Sequence, residues 1–413
     1  MMTLFRYQFV PAGTVAPSHP PDNEIWLDVG NRAGPQVLDH HGGDTNALSA
    51  SELVWNCFDQ LVQPYLSIGK PVTLTLHTKP DLDAICAAWL VTHYLNNSLS
   101  AELKSVLSPL IERVSTNDQG MIQTQDPATC WTIVFAERMR SELPHMAGDE
   151  VSSADENRVR FGFSLLDQTL AGLARGESLE DTTKGLITPA VTTSLAESEH
   201  LYRQDLGNGT QFQVYLPTHK AEIPVNHQPI NPPSVTTANS RLADGLYLKN
   251  PSCSLFRELA RGDKKGSQLG QGFSFLVVQS DWPQHHLPRP LSRYVLSTNP
   301  ATHFHLQGLG KMLEQREQDF ENQQEEDPLL SGRERVGLGE GRHGYNVASP
   351  WYDGRGHNFT IIDCPGVVVE EQTIYASALS ATEIQATIQA YGDLFSPAEE
   401  DSYGDQPEKD SAE

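Results

Sequence analysis

The sequence predicts an α/β fold, with a parallel sheet flanked by helices, followed by a second domain of the α+β class. Three observations support this prediction. Apolar strands alternate with amphipathic helices in the first half, polar residues and glycines follow each of these strands, and short strands between proline-rich loops are typical of the second half. A length of 413 residues with 38% hydrophobic content is sufficient for two cores.

The first half contains the clearest elements. Residues 24–30 and 35–39 each form a short apolar run that ends in an aspartate and is soon followed by glycine, and residues 71–77 form the best strand in the chain. Apolar residues at helical spacing predict helices over residues 50–63 and 83–95. Ligands of parallel α/β sheets bind beyond the carboxyl ends of the strands, so the polar residues at these ends are candidate site residues.

The second half differs from the first in its predicted secondary structure. Strands are predicted over residues 212–216, 273–279 and 359–363, and a charged helix over residues 312–326 is expected to be a solvated face. We place the domain boundary near residue 200, which gives a first domain of residues 1–200 and a second of residues 201–395. Residues 396–413 are acidic and poor in large apolar side chains, so a disordered tail is expected.

Composition excludes several classes of protein. The net charge of −24 repels polyanions and argues against coating of duplex DNA, although a small or single-stranded phosphate substrate remains compatible. The five scattered cysteines indicate neither a disulfide framework nor a zinc knuckle. No apolar run is long enough for a membrane span and the start lacks a secretory pattern, so a cytoplasmic location is expected.

Three groups of metal-binding residue types follow the predicted strands. His77, Asp81 and Asp83 share one strand-to-helix turn, Asp39-His40-His41 follows a second strand, and Asp28 ends a third. Each pattern is weak by itself, and their coincidence at strand ends gives them value. Carboxylates with a few imidazoles favour Mn²⁺, with Mg²⁺ or Co²⁺ as alternatives, over a thiolate-dependent zinc site.

These residues resemble the motifs of the DHH phosphoesterases, which include family II inorganic pyrophosphatases, oligoribonucleases and cyclic-dinucleotide phosphodiesterases. The likeness covers the first third of the chain, and Asp118 in a Thr-Asn-Asp-Gln-Gly segment is similar to the fourth motif. The succession Asp28-Val-Gly, Asp-His-His and Ser-Ala-Ser-Glu-Leu-Val is most similar to the melanocyte-proliferating-gene family. The order departs from the superfamily, because His-x-x-x-Asp-x-Asp follows Asp-His-His here, as in a circular permutation.

The resemblance implies a role for each motif residue. It places His77 and Asp81 on one ion, Asp83, His40 and Asp118 on the other, and Asp28 as a bridge between the two. Asp28 and His41 would then be the catalytic residues, with His41 facing the substrate phosphate. For Asp118, a simple polar turn is an equally weighted alternative.

A substrate-recognition site is expected in the second domain. A glycine-rich stretch with Arg342, Arg355 and His357 is loosely similar in layout to the domain that accompanies many DHH enzymes. The arginines could fork onto phosphate, and Trp351 and Tyr352 could stack on a base. The alternative is a glycine-rich turn with a packing tryptophan.

The sequence therefore predicts a metal-dependent hydrolase with two divalent ions, most suited to Mn²⁺. Its substrate would be a phosphodiester or phosphoanhydride in a nucleotide, a short oligonucleotide or a similar small phosphate compound. Pyrophosphate, polyphosphate and cyclic dinucleotides suit the same metal pair, and the oligomeric state is left open. The alternatives are a catalytically silent nucleotide-binding sensor and an interaction protein that recruits a partner through its acidic segments.

Overall fold

A computed structural model describes residues 4–41, 49–67, 69–96, 98–143, 153–218, 239–282, 291–323, 351–353, 361–364, 368–369, 372–373 and 376–397. Within them, the first sheet has the strand order β1-β5-β2-β4-β3. Its strands are β1 (Phe5–Val10), β2 (Glu24–Leu27), β3 (Ala33–Gly34), β4 (Val37–Leu38) and β5 (Val72–His77). The pairs β1–β5, β5–β2 and β2–β4 are parallel, whereas β3 runs antiparallel to β4.

The described helices of the first half pack on this sheet or on one another. They are α1 (Ala50–Leu61), α2 (Leu82–Leu95), α3 (Ala101–Asp118), α4 (Trp131–Glu142), α5 (Ala154–Ala174), α6 (Leu179–Leu186) and α7 (Pro189–Asn208). Helix α2 is the central one, because its residues 83–91 are all buried and it packs against α1, α3 and α5. Ser49 caps α1 and Asp81 caps α2 through side-chain oxygens that accept backbone N–H groups.

The second sheet has the order β10-β11-β9-β8-β7-β6 and is also mixed, with β7 and β8 parallel and the other pairs antiparallel. Its strands are β6 (Thr210–Pro217), β7 (Ser240–Lys249), β8 (Phe275–Trp282), β9 (Leu291–Thr298), β10 (Tyr352–Asp353) and β11 (Ile361–Cys364). The accompanying elements are α8 (Phe256–Gly262), α9 (Leu309–Asn322), α10 (Ala381–Asp393) and the small hairpin β12 (Val368–Val369) with β13 (Gln372–Thr373).

Two large clusters of buried apolar side chains form the cores of the described chain. One lies between the first sheet and its helices and continues into the second half, where it includes Leu246, Phe256 and Leu276. The other fills the space between the second sheet, α9 and α10. Residue 200, near which the domain boundary is predicted, lies within helix α7. The boundary itself remains a prediction.

The predicted α/β class is confirmed, and the sheets prove to be mixed because β3 and most strands of the second sheet are antiparallel. The solvated face expected for the charged helix is wrong, because α9 buries Glu314, Glu317 and Glu321 on one side. Carboxylates can be buried when they are hydrogen-bonded, and Glu317 accepts from Trp351 Nε1 and Ser377 Oγ. Across the described part of the chain, no helix has the length and hydropathy needed to cross a membrane.

Candidate metal centre

The site forms where three parallel strands end side by side. Strand β2 lies between β4 and β5, so the carboxyl ends of all three strands share one edge of the sheet. Asp28 is the first residue after β2, His40 follows β4 by two residues, and His77 is the last residue of β5. Helix α3 delivers its last residue, Asp118, to the same place, where its Oδ2 lies 3.1 Å from His40 Nε2.

Asp28 occupies the centre of the cluster, and its side chain is 2% exposed. Its Oδ1 lies 3.5 Å from His40 Nε2, whereas its Oδ2 lies 3.5 Å from His77 Nε2. The backbone of Asp28 has φ of +57°, a left-handed conformation that non-glycine residues rarely adopt. Such strain is often found at functional sites, where it directs a side chain.

The chain can turn sharply after Asp28 because Gly30 follows it. Gly30 has φ of +125°, and a Cβ at this position would lie 2.6 Å from Val37 Cγ1 and 2.9 Å from Ala16 Cβ. A side chain would therefore separate this loop from β4. The glycine that sequence analysis noted after Asp28 keeps the ends of β2 and β4 close together.

The ring of His77 is held in one orientation by the backbone. Its Nδ1 lies 3.0 Å from the carbonyl oxygen of Thr78, which can only accept, so Nδ1 carries a proton and Nε2 is the nitrogen that could bind an ion. That Nε2 faces Asp28 and lies 3.9 Å from Asp81 Oδ1. Asp81 has a second task, because its Oδ1 also accepts from the backbone N–H groups of Asp83 and Ala84 as the α2 cap.

Asp83 is a buried carboxylate that links two helices. Its Oδ2 and Oδ1 accept from the N–H groups of Ala50 and Ser51 at 2.6 and 2.9 Å, so this α2 residue also holds the start of α1. One ligand atom each from His40, Asp83 and Asp118 nevertheless lie within 4.8 Å of one another. The same criterion groups Asp28 with His77 and Asp81, and Asp28 with His40 and His41.

His41 differs from the other two imidazoles in its exposure, since 39% of its side chain is accessible against 16% for His40 and 14% for His77. Buried Asp39 orients it: Asp39 Oδ1 lies 2.6 Å from His41 Nδ1 and accepts from the His41 backbone N–H at 3.0 Å. The other oxygen of Asp39 accepts from Asn31 N–H at 2.6 Å. Sequence reasoning did not assign this orienting role, although the position of Asp39 within Asp-His-His suggests it.

The imidazoles and Asp28 shift one another's pKa values in opposite directions. Burial disfavours the charged form of His40, but the carboxylates of Asp118 and Asp28 outweigh it and raise its pKa to about 11. Asp28 and Asp81 likewise outweigh burial at His77 and raise its pKa to about 11. Burial favours the neutral form of Asp28, yet contacts with His40 and His77 hold its pKa well below the ordinary range.

Two further carboxylates of the cluster, Asp83 and Asp118, are in surroundings that disfavour their charged forms. Burial and the charges of Asp28 and Asp118 raise the pKa of Asp83 well above its ordinary value. Burial, together with the charge of Asp28, also raises the pKa of Asp118 in spite of His40. The dipole of α3 acts in the same direction, because Asp118 is a negative group at a helix C-terminus, where cations are favoured.

The donor set fits divalent cations. Among the described residues, the buried Asp28 Oδ1 and His40 Nε2 have no hydrogen-bond partner, although they lie 3.5 Å apart and His40 Nε2 lies 3.1 Å from Asp118 Oδ2. Buried polar atoms that lack hydrogen bonds are costly, and a metal ion would satisfy both. A cation would also relieve the repulsion among the carboxylates of Asp28, Asp83 and Asp118. Nothing in the donor set identifies the metal.

The residues predicted to contact the substrate in the second half, Arg342, Arg355 and His357, lie outside the described residues. Trp351 is described, and the expectation that it stacks on a base is wrong. It is buried, stacks on Tyr294 and donates its Nε1–H to Glu317, so the packing alternative holds for it.

Comparisons with known proteins give no relative for this chain. No family model matches it, and neither the curated proteins nor the solved structures provide a significant match. The geometry of the metal-binding residues is therefore the basis for assigning a function.

Proposed function

We propose that this protein is a two-metal phosphoesterase of the DHH kind, with its motifs in permuted order. One observation carries the proposal: the two oxygens of buried Asp28 face different imidazoles, Oδ1 towards His40 and Oδ2 towards His77. A carboxylate placed in this way can bridge two ions, one on each oxygen. A single ion would instead need all its donors on the same side of Asp28. The overlapping three-residue groups that share Asp28 or His40 support the same interpretation.

The ligands divide into two sets. His77 and Asp81 would hold one ion and His40, Asp83 and Asp118 the other, with Asp28 shared. Nitrogen and carboxylate donors without thiolate suit Mn²⁺, and Mg²⁺ or Co²⁺ are alternatives. A bound pair of such ions supplies Lewis-acid polarisation of a phosphoryl oxygen and lowers the pKa of a water nucleophile.

The chain's own groups would position the substrate. His41 is the most exposed of the three imidazoles, and Asp39 fixes its ring, so it is suited to contact a non-bridging phosphoryl oxygen. Burial disfavours protonation of His41, but Asp39 and Asp28 outweigh it and raise its pKa, which favours the cationic form that binds phosphate. Its role is therefore that of an oriented hydrogen-bond donor.

The substrate class follows from charge. A surface with net charge −24 repels long polyanions, so a nucleotide, a short oligonucleotide or a similar small phosphodiester or anhydride is the favoured substrate. Arg342, Arg355 and His357 remain the predicted contacts of the second half for the remote part of that substrate. A membrane surface is not among the proposed partners.

The test is a panel of phosphate esters and anhydrides incubated with the purified full chain and Mn²⁺, with the products identified by mass. The panel should include pyrophosphate, polyphosphate, dinucleotides, cyclic dinucleotides and p-nitrophenyl phosphate. We expect metal-dependent release of phosphate or nucleotide from at least one member, and its loss on chelation. A sensor of nucleotides would instead bind Mn²⁺ and a panel member without turnover, and an interaction protein would bind neither.

Asp167→Asn is a matched control for substitutions in the site. Asp167 also contacts a histidine, with 3.4 Å between its Oδ1 and His93 Nε2, but its side chain is 60% exposed and lies on α5. This variant should retain full activity. Equal losses in Asp28→Asn and Asp167→Asn would show that the effect is not specific to the metal centre.

A further inference from the structure

The segment that follows Asp118 is attached to the second half of the chain. Gly120 lies two residues beyond Asp118, and its carbonyl oxygen accepts a hydrogen bond from Nη1 of Arg261 on α8. The same guanidinium donates through Nη2 to the carbonyl oxygen of Thr298, at the end of β9, at 2.9 Å. Arg261 is 2% exposed, so this link between α3 and the second sheet is buried.

Two neighbouring contacts strengthen the attachment. The backbone N–H of Thr124 donates to the carbonyl oxygen of Glu258 on α8 at 3.3 Å, and Asn299 Nδ2 donates to Gln123 Oε1 at 3.0 Å. We call these two contacts, together with the two hydrogen bonds of Arg261, the α8 contact. These contacts hold the segment from residue 120 to residue 124 at three of its residues, Gly120, Gln123 and Thr124.

The packing is close enough to require a glycine. At Gly262, the last residue of α8, an added Cβ would lie 2.1 Å from the carbonyl oxygen of Thr124 and 2.5 Å from its carbonyl carbon. Backbone atoms cannot yield as the end of a side chain can, so α8 and this turn have a fixed separation. This close approach fixes the chain at a point six residues after Asp118.

Keeping Asp118 in place is energetically demanding. Burial and the neighbouring Asp28 disfavour its charged form, and it also lies at the wrong end of a helix for a negative group. Contacts that fix the C-terminal end of α3 would therefore favour the inward position of this side chain. Arg261 is itself a buried cation whose described acceptors are carbonyl and hydroxyl oxygens, an arrangement that is costly to retain without a function.

We propose that Arg261 is a positioning residue for the metal centre: through Gly120 it fixes Asp118, so that the ion held by His40, Asp83 and Asp118 binds only when α8 is docked. The inference rests on the proposed function, since it assigns the assembly of one of the two ion sites. It makes the second half of the chain a structural part of the metal centre as well as a candidate for substrate recognition.

The experiment measures Mn²⁺ alone, by titration calorimetry on the full chain. The unmodified protein should bind two ions. Arg261→Met keeps the length of the side chain without its donors and should bind the first ion unchanged and the second at least tenfold more weakly. Arg261→Lys, which can donate to one of the carbonyls, should restore part of the second affinity. Arg160→Met is the control, because Arg160 is 64% exposed and pairs with Glu156 on its own helix, α5.

The electron paramagnetic resonance spectrum of Mn²⁺ provides a second measurement. Two adjacent ions couple their spins, and a single ion does not, so Arg261→Met should replace the coupled spectrum with that of an isolated ion. If Arg261→Met fails to fold by circular dichroism, the Lys variant decides on the same criterion of second-ion affinity. A purely structural arginine would lower the unfolding temperature and leave both affinities unchanged, which would overturn the inference. Absence of Mn²⁺ binding by the unmodified protein would instead overturn the proposed function.

Discussion

Asp28→Asn is the substitution that tests the bridging role most directly, because it removes one charge from the cluster with almost no change in shape. Asp28 Oδ1 and Oδ2 each lie 3.5 Å from an imidazole Nε2 that the proposal assigns to a metal. At this distance, two unit charges interact by about 5 kcal/mol at an effective dielectric constant of ~20. Without the Asp28 charge, a cation bound between these groups would therefore lose attraction of about this size for each unit of its own charge.

The net loss will be smaller, because the amide oxygen can still bind a cation and removal of a charge also removes a desolvation cost. Loss of a hydrogen-bond partner behind a ligand costs roughly 10- to 100-fold in metal affinity, and loss of a charged shared ligand should reach or exceed the upper value. We therefore expect Mn²⁺ affinity to fall by roughly 100-fold or more, which corresponds to about 2.7 kcal/mol.

Titration calorimetry near pH 8 measures this change, and turnover of the substrate found in the panel should disappear in parallel. The far-ultraviolet circular dichroism spectrum should be unchanged, since asparagine adopts left-handed φ values more readily than most residues. Asp167→Asn is the matched control. Two Mn²⁺ ions bound to Asp28→Asn with unmodified affinity would refute the bridge, and with it the two-metal arrangement.

Three further substitutions and titrations follow from the same contacts. Asp39→Asn should lower kcat by roughly 10- to 100-fold and leave the Mn²⁺ stoichiometry at two, because Asp39 orients His41 but is not a proposed metal ligand. Loss of a bound ion in this variant would refute the distinction between the two roles. Asp81→Asn should weaken Mn²⁺ binding but lower the unfolding free energy by less than about 0.5 kcal/mol, because asparagine caps helices as well as aspartate does. Asp81→Ala should lower the unfolding free energy by about 1 kcal/mol more, because alanine cannot cap α2. Equal unfolding temperatures of the two variants would argue against the cap. Mn²⁺ binding near pH 8 should release about two protons, because His40 and His77, with pKa values raised to about 11, are protonated in the metal-free protein and must be neutral as ligands. Titration calorimetry in buffers of different ionisation enthalpy measures this release. Binding heats that are the same in all buffers would contradict those pKa values.

Much of the first half could be predicted from sequence because each element there obeys a local rule. Alternation of short apolar runs with helical periodicity indicated β2, β4, β5, α1 and α2, and the observed bounds differ from the predicted ones by a few residues. The polar residues at the strand ends were identifiable for the same reason, since parallel neighbours bring their carboxyl ends to one edge. The metal roles of these residues stay predictions until an ion is measured.

Other features depend on contacts that a local pattern does not contain. The charged helix α9 has the composition of a solvated face, yet Glu317 is buried because Trp351, Ser377 and the backbone of Ala378 supply its hydrogen bonds from 34 to 61 residues away. Arg261 gave no signal in the sequence for a similar reason, because its partner Gly120 lies 141 residues earlier. Only the fold brings such pairs together.

The proposed permutation of the motifs is compatible with the order of the strands in the first sheet. Asp28, His40 and His77 come from β2, β4 and β5, which lie side by side in the order β5-β2-β4. The three residues therefore reach the same edge of the sheet whatever the order of these strands in the sequence. The connections between strands lie elsewhere: α1 joins β4 to β5, and α2 leaves β5 with Asp81 and Asp83 at its start. Moving the chain ends from one connection to another would change the sequence order of the motifs and leave the neighbours in the sheet unchanged. Asp118 is the exception, because α3 brings it to the edge from outside the sheet. In the proposed metal centre, a permuted chain would keep its strand-end ligands through the sheet alone, whereas the fourth carboxylate would need a contact of its own, the role proposed above for Arg261.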